Sequence, residues 1–151
     1  MKIYIGADHR GYNLKQRIAE LLNQQGHSVI DCGTHNSKKN CDYPKVAYQV
    51  ASRVAKNKNS RGILVCMSGI GQAMAANKIR GAYAALCYNP LAARLSRLHN
   101  NANILVLGAK FVKPKDVPRM IKVWLETEFE GGRHERRLKQ IKKIEQGKRF
   151  V

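Results

Sequence analysis

Short apolar runs alternate with amphipathic helical stretches along almost the whole of this chain, and this alternation constrains its fold more than any other feature. The runs at 3–5, 28–30, 63–65, 84–87 and 104–107 have the length and composition of single strands. Stretches with apolar residues at helical spacing separate them. Strands and helices in this order form parallel pairs, with helices packed on the sheet. We therefore predict an α/β, three-layer Rossmann-like fold with about five parallel strands and helices on both faces.

Local signals mark where the predicted helices begin and end. Gly26 occupies the position just after the C-cap of a predicted helix. Pro44 is typical of a helix start, and Asn89–Pro90 is typical of an N-cap followed by the first helical residue. Pro114 opens a further helix, which Gly131–Gly132 separates from the C-terminal segment. A chain of 151 residues that is 44% hydrophobic can bury one sizeable core. We predict a single domain over residues 1–151 that ends in a basic helix from about residue 133.

The cellular compartment is predicted from apolar runs and cysteines. Residues 1–6 have the pattern of a strand and are too short and polar for a signal peptide, and the sequence contains no apolar run long enough to span a membrane. The four cysteines, at 32, 41, 66 and 87, form no C-x-x-C pair. We expect a cytoplasmic protein without a membrane partner, with reduced thiols and with Cys32, Cys41 and Cys87 in structural roles.

The charge of the chain is strongly positive, with 28 Lys and Arg against 10 Asp and Glu and a formal net charge of +18. The densest basic region lies at 133–149, where Leu138, Ile141 and Ile144 keep helical spacing among the charges, as in a solvated amphipathic helix. Only 7% of residues are aromatic, and no helix-turn-helix, RNP-like or zinc-finger pattern occurs. We predict no specific nucleic-acid partner, and a polyanion-binding protein remains an alternative.

The segment 63–71 brings a thiol and a glycine-rich turn from a buried strand to a helix start. Its apolar residues end at Cys66, and Gly69 and Gly71 follow. Free backbone N–H groups at such a turn attract anions and lower the pKa of a nearby thiol. Cys66 is therefore a candidate nucleophile or base, although a single cysteine at a strand end is more often structural.

The glycine pattern argues against two classes of nucleotide site. No Gly-Lys-Ser/Thr follows it, as a P-loop requires. Met74 stands where a dinucleotide fingerprint has its third glycine, and no acid lies between Asp42 and Asp116 to bind a ribose. The same interval without carboxylates argues against paired-carboxylate glycosidases and acidic metal cages. The base for any proton transfer is then Cys66, a histidine or an acid from elsewhere in the chain.

Open α/β sheets bind ligands beyond the carboxyl ends of their strands. Asp8 and His9 follow the first predicted strand, residues 66–71 the third and residues 108–110 the fifth, and residues 98–101 end a helix shortly before the fifth. A carboxylate, imidazoles, a thiol and an anion-binding loop can move protons on a small hydroxylated anion without a metal. Taken singly, Asp8 and Asn100 have the alternative of capping turns.

Seven short motifs follow one another along nearly the whole chain: Gly6-Ala7-Asp8-His9, Asp42-Tyr43-Pro44, Cys66-x-Ser68-Gly69-Ile70-Gly71, Ala76-Asn77-Lys78, Leu95-Ser96-Arg97-Leu98-His99-Asn100, Asn103-Ile104-Leu105 and Glu130-Gly131-Gly132-Arg133-His134. In their order and spacing they resemble the ribose-5-phosphate isomerase type B family. The resemblance implies interconversion of ribose 5-phosphate and ribulose 5-phosphate through a cis-enediol or enediolate, in the pentose phosphate pathway. It implies no metal or organic cofactor, and a homodimer or tetramer with active sites shared between subunits.

The resemblance also implies residue roles. Cys66 is the base that moves the proton between C2 and C1, Ser68 relays a proton between the two oxygens, and His99 opens the sugar ring with help from Asp8. The remaining contacts are to the sugar hydroxyls, the enediolate oxygen and the phosphate, which Arg133 and Arg137 clamp from one side of a helix. The implied substrate-binding residues are Asp8, His9, Tyr43, Met67, Ser68, Gly69, Ile70, Gly71, Asn100, Lys110, Arg133 and Arg137.

Two positions depart from the family pattern. The family commonly has glycine where Met67 stands and arginine where Lys110 stands. A side chain at 67 can narrow the sugar pocket, and lysine replaces a planar two-point phosphate contact by a point charge. The alternatives are an isomerase of a six-carbon sugar phosphate, such as allose 6-phosphate or galactose 6-phosphate, and the polyanion-binding protein on the same scaffold. A thiol or serine hydrolase using Cys66 or Ser68 with His99 is a further rival, although the chain has no Gly-x-Ser-x-Gly elbow.

Overall fold

Five strands form one sheet in the structure, a computed structural model that describes residues 1–149. The strand order is β2-β1-β3-β5-β4, and every neighbouring pair is parallel. The strands are β1 (Lys2–Ala7), β2 (Ser28–Asp31), β3 (Ser60–Cys66), β4 (Ala84–Leu86) and β5 (Ile104–Gly108). The predicted five-stranded parallel sheet is confirmed. The predicted single domain includes residues 150 and 151, which lie outside the described residues.

Five of the six helices described for residues 1–149 cover the two faces of the sheet, which confirms the three-layer arrangement. Helices α1, α4 and α5 contribute to the apolar cluster on one face, and α2 and α3 to the cluster on the other. None of the helices described is long and apolar enough to cross a membrane. The helices are α1 (Tyr12–Gln24), α2 (Tyr43–Lys56), α3 (Ile70–Ala76), α4 (Pro90–Asn100), α5 (Val117–Glu126) and α6 (Arg133–Glu145).

The central strands are apolar on both faces because both faces are covered by helices. In β3, Ile63 and Val65 pack into the cluster with α1, α4 and α5, while Leu64 packs into the cluster with α2 and α3. All three side chains are fully buried. Packing on both faces fixes β3 in the middle of the sheet. Cys66 is the last residue of this strand, so its position is fixed by the same packing.

Most of the predicted helix boundaries agree with the structure. The side chain of Asn89 accepts a hydrogen bond from the backbone of Ala92 at 2.8 Å, so it caps α4 as its sequence position predicts. The predicted helix at Pro114 begins instead with a single 3₁₀ turn, Pro114–Asp116, and α5 starts at Val117. Pro118 has no N–H to donate to the carbonyl of Pro114, so a regular α-helical bond cannot form there.

The buried side of α4 differs from the apolar pattern of its sequence. Ala93, Ser96 and Arg97 are buried, whereas Leu91 is 63% exposed. The Arg97 guanidinium satisfies its donors inside the protein, on the side chain of Asn101 and on backbone oxygens. The leucine side of α4, formed by Leu91, Leu95 and Leu98, is therefore left partly or largely exposed in the single chain.

Candidate active site

A groove of about 330 Å³ opens at the carboxyl ends of β1 and β3, where Cys66 leaves the sheet. Its size lies at the lower end of the range for small-molecule sites, which is about 300–1,000 Å³. We call it the thiol groove, and its lining residues are Asp8, His9, Arg10, Cys41, Asp42, Tyr43, Cys66, Met67, Ser68 and Gly71. Of the predicted site residues, the structure thus brings Asp8, His9, Tyr43, Cys66, Met67, Ser68 and Gly71 together in one groove.

The Cys66 thiol lies under the glycine turn. The backbone N–H of Gly69 donates a hydrogen bond to its sulfur at 2.9 Å, and the residue is 5% exposed. Burial raises the pKa of Cys66, the N–H of Gly69 lowers it, and the negative charge of Asp8 raises it. The expectation of a lowered thiol pKa is wrong in sign, because the loss of hydration outweighs the amide dipoles.

Two glycines give the turn its shape. Gly69 has a φ of +86°, which a residue with a side chain rarely adopts. A Cβ on Gly71 would stand 2.5 Å from Cζ of Tyr43, so only glycine lets the Tyr43 ring lie against the start of α3. The side-chain oxygen of Ser68 accepts a hydrogen bond from the N–H of Ile70 at 3.3 Å. The turn therefore presents a hydroxyl, a thiol and backbone amides to the same groove.

Asp8 is held by the turn that follows β1. Its Oδ1 accepts hydrogen bonds from the backbone of Arg10 at 3.0 Å and of Gly11 at 2.8 Å, and the residue is 8% exposed. Asp8 therefore does cap this turn, and it also lines the thiol groove. The cap fixes the orientation of a carboxylate beside the thiol.

His9 has its ring oriented by the loop before α2. Its Nδ1 accepts a hydrogen bond from the backbone N–H of Cys41 at 3.3 Å. A neutral imidazole that accepts at Nδ1 carries its proton on Nε2, so His9 has an Nε2–H free to donate. The Nε2–H group can donate a hydrogen bond to an oxygen of a phosphate or a hydroxyl group.

Sequence reasoning missed three lining residues of this groove: Arg10, Cys41 and Asp42. Arg10 lies across the mouth, with its Nη1 at 2.9 Å from the sulfur of Met67. Cys41 was expected to be structural, but it lies half-buried at the groove. The signal that could have found these two is the Asp42-Tyr43-Pro44 motif, which begins with Asp42 and directly follows Cys41.

Lys110 and Ile70 belong to the same end of the sheet without lining the groove. The backbone N–H of Lys110 donates to the carbonyl of Met67 at 3.0 Å, which ties the residues after β5 to the turn. The side chains of Lys110 and Ile70 are exposed.

The other predicted site residues lie at the opposite edge of the sheet. His99 and Asn100 end α4, and the segment that follows them returns to the start of β3, where the N–H of Gly62 donates to the carbonyl of Asn103 at 2.9 Å. That is the amino end of β3, and Cys66 is at its carboxyl end. Gly62 and Cys66 are four residues apart in β3, which corresponds to about 13 Å of parallel strand at 3.3 Å per residue. A single chain therefore does not bring His99 to Cys66.

His99 is part of a second cluster, formed where α4 ends and α6 begins. The ring of His99 stacks on that of His134, with centroids 4.2 Å apart and an interplanar angle of 9°. A Glu130 carboxylate oxygen lies 3.4 Å from Nε2 of His134 and 3.7 Å from Nε2 of His99. The N–H of Glu130 donates to the carbonyl of Leu98 at 3.0 Å, which fixes this segment against α4.

We call this cluster the histidine patch, and it includes His99, Asn100, Glu130, Arg133, His134 and Arg137. His134 is buried, and burial lowers its pKa, as does the adjacent His99. Arg133 and Arg137 are exposed on α6, and both charges act on His134. Sequence reasoning did not nominate Glu130 or His134 as site residues. Their spacing of four, across Gly131–Gly132, was the available signal.

An open parallel sheet with a thiol and an anion-binding turn at its carboxyl edge defines a small-molecule site of the α/β class. The family model described as Ribose/Galactose Isomerase matches residues 3–141. The chain belongs to the ribose/galactose isomerase family.

Individual relatives agree over nearly the full length. Ribose-5-phosphate isomerase B of Escherichia coli (strain K12) is 43% identical over 96% of this chain and 97% of the relative. The structure of Clostridium thermocellum ribose-5-phosphate isomerase B matches at a TM-score of 0.94 with 46% identity, covering 97% of this chain and 99% of that one. The enzyme from Mycoplasma genitalium with bound ribulose-5-phosphate matches at 0.92 with 41% identity, covering 96% of both chains.

Proposed function

We propose that this protein is an aldose-ketose isomerase that interconverts D-ribose 5-phosphate and D-ribulose 5-phosphate. The observation that carries the proposal is the thiol groove, where Cys66 lies beside a glycine turn rich in backbone donors and beside the fixed carboxylate of Asp8. The relatives named ribose-5-phosphate isomerase B and the neighbour with bound ribulose-5-phosphate support this substrate class.

The chemistry is a proton transfer between adjacent carbons. The Cys66 thiolate takes the proton from C2 of the open-chain aldose, and the electron pair moves to give an enediolate with its negative charge on the oxygen at C1. Backbone N–H groups of residues 67–71 stabilise that oxygen, and Ser68 moves a proton from the C2 hydroxyl to it. Return of the proton from Cys66 to C1 completes the ketose.

Ring opening and phosphate binding fall to the histidine patch. We propose that His99 transfers the proton that opens the furanose ring, and that stacking on His134 and the carboxylate of Glu130 orient its ring. Arg133 and Arg137, four residues apart on α6, supply charge-assisted hydrogen bonds to the phosphate. His9 donates from the thiol groove, Tyr43 and Asn100 bind sugar hydroxyls, and Lys110 adds a positive charge.

We propose that the complete site forms between two subunits, in a homodimer or a tetramer of such dimers. The support is the separation of the thiol groove and the histidine patch by the length of β3, since the reaction needs both near one substrate. Apolar side chains exposed on the single chain supply surface for such an interface, and they include Ile70, Met74, Leu91, Ile141 and Ile144.

A five-carbon substrate is favoured over a six-carbon one by the relatives named ribose-5-phosphate isomerase B. Met67 is 37% exposed at the rim of the thiol groove and contacts Arg10. A side chain at this position takes space from the part of the site that the groove supplies. We also propose a cytoplasmic location, because the four cysteines are free thiols, as a reducing compartment keeps them.

The decisive test of the reaction is solvent exchange at C2, followed by NMR in D₂O. The wild-type protein should incorporate deuterium from solvent and form ribulose 5-phosphate, whereas Cys66→Ala should do neither while still binding the sugar phosphate. Cys87→Ala, which removes a buried thiol just after β4, is the matched control and should keep exchange. Normal exchange in Cys66→Ala would overturn the assignment of the base.

A further inference from the structure

Three donor atoms lie together in the histidine patch, and the proposed reaction uses two of the three residues, Glu130 and His134, only to orient His99. Nε2 of His99, Nε2 of His134 and a carboxylate oxygen of Glu130 all lie within 4.8 Å of one another. Two imidazoles and one carboxylate are the ligand set of many zinc sites that keep a fourth position open. Imidazole nitrogen is a ligand that zinc, copper and nickel prefer over magnesium or calcium.

Two of the three distances between donor atoms are close to those that a tetrahedral ion imposes. Ligand atoms bound at about 2.0–2.1 Å stand roughly 3.3 Å apart in a tetrahedron. The carboxylate oxygen of Glu130 lies 3.4 Å from Nε2 of His134 and 3.7 Å from Nε2 of His99. The Nε2 lone pairs lie in the planes of the two stacked rings, so one ring must rotate before both can point at the same ion. His99 is the ring that can rotate, because its side chain is 35% exposed. The ion would displace Arg133, whose Nε lies 3.5 Å from Nε2 of His134.

Access suits a cation at this place, and the charges around it are mixed. The Glu130 carboxylate favours a cation, whereas the charges of Arg133 and Arg137, which also act on His134, oppose one. His99 lies in the last turn of α4, where the helix dipole favours a cation. The side chain of Glu130 is 52% exposed, so an ion can enter from solvent.

We propose that His99, Glu130 and His134 form a binding site for a divalent transition-metal ion of the zinc class, and that the bound ion inhibits the enzyme. The ion occupies the lone pair of His99 that ring opening uses, so metal and catalysis compete for one nitrogen atom. The inhibition rests on the proposed function, whereas binding of the ion does not.

Cobalt(II) is the probe that tests the site, because its visible spectrum reports both geometry and ligand type. Titration of the full-length protein with Co²⁺ should give ligand-field bands of a four- or five-coordinate site, without the near-ultraviolet charge-transfer band of a thiolate ligand. Zn²⁺ should displace the Co²⁺ and remove these bands. A dominant thiolate band would place the ion on a cysteine and overturn the proposal.

Two surface variants identify the ligands. Glu130→Gln should weaken Co²⁺ binding at least about tenfold, since loss even of an outer partner of a metal ligand typically costs 10–100-fold. Glu128→Gln removes the same charge two residues away at an exposed position and should leave binding unchanged. Both substitutions are exposed and should leave the fold intact, which circular dichroism checks. Equal binding in the wild type and Glu130→Gln would overturn the proposal.

Activity measurements distinguish binding of the ion from inhibition of the enzyme by the bound ion. Zn²⁺ should inhibit the conversion of ribose 5-phosphate by the wild type, and a chelator should restore it. The inhibiting concentration should not change in Glu128→Gln. Co²⁺ binding by a protein without isomerase activity would refute the proposed function and leave the metal site standing. Isomerase activity without Co²⁺ binding would refute the metal site alone.

Discussion

Cys66 is the residue whose ionisation controls the proposed reaction. Burial raises the pKa of the Cys66 thiol, and the hydrogen bond from the N–H of Gly69 only partly offsets that rise. In the free protein the thiol is therefore mostly protonated at neutral pH, and only the minor thiolate form can accept the proton from C2. This differs from a site in which the amide dipoles dominate and the thiol is already ionised.

The pH dependence of the reaction follows from the direction of this shift. Because the pKa of Cys66 is raised, the thiolate fraction grows as pH rises through the neutral range, and kcat/KM should rise by about tenfold per pH unit there. Initial rates with ribulose 5-phosphate, which avoid ring opening, are the measurement. A flat profile across neutral pH would mean that the thiol is already ionised and would contradict the buried-thiol interpretation.

Arg137 carries a second prediction at the scale of the residue. Arg137→Ala should raise KM for the sugar phosphate about tenfold or more, since a hydrogen bond to a charged group is worth roughly 1.5–3 kcal/mol. Inhibition by inorganic phosphate should weaken by a similar factor. Arg136→Ala makes the same change of charge on the neighbouring exposed position of α6 and should leave KM unchanged. An equal rise of KM in both variants would show a general charge effect instead of a phosphate clamp.

At the scale of the element, the turn between β3 and α3 is held by the end of β5. A Cβ on Gly108 would stand 2.4 Å from the carbonyl oxygen of Ser68. The backbone N–H groups of Ala109 and Lys110 donate to the backbone carbonyl oxygens of Cys66 and Met67 at 2.8 and 3.0 Å. The strand end therefore sets the position of the turn that carries the thiol.

Gly108→Ala should push this turn away and reduce kcat by about 100-fold, as a misplacement of roughly 1 Å at a reacting group can do. Gly26→Ala is the control, since Gly26 also needs glycine, at φ +78°, but a Cβ there meets nothing within 4 Å. It should lose about 1 kcal/mol of stability and keep its activity. Thermal unfolding and kcat are measured for both variants. Equal loss of activity in the two would show that β5 does not position the turn.

The elements themselves were largely predictable from the sequence, because their signals are local. The apolar runs gave β1 to β5, and Asn89 and Gly26 marked helix ends. The pKa of Cys66 was not predictable, since it depends on how deeply the finished core buries the sulfur. The side of α4 that is buried was also not predictable, because Arg97 finds its partners on Asn101, Ala102 and Thr127 only in the folded chain.

At the scale of the whole molecule, the residues proposed for one reaction lie at opposite edges of one sheet. The family resemblance assigns these residues to one site. The sequence does not show, however, whether the end of a helix lies at the amino or the carboxyl ends of the strands in the folded chain. Here α4 runs back against the strands, so His99 lies near the amino end of β3 and Cys66 at its carboxyl end. The two-fold dimer that we propose would bring them together, because the thiol groove of each subunit would then meet the histidine patch of its partner.

Mixing two inactive variants tests this arrangement. Cys66→Ala lacks the base and His99→Asn lacks the ring-opening group, so each alone should convert ribose 5-phosphate very slowly. After subunit exchange, about half of the dimers contain one chain of each kind, and one of their two sites has both Cys66 and His99, because the partners of an isologous dimer contribute reciprocally. Activity should return to about a quarter of the wild-type value. Native mass spectrometry must show the mixed dimer, and its presence without recovered activity would mean that Cys66 and His99 of two different chains do not act on one substrate.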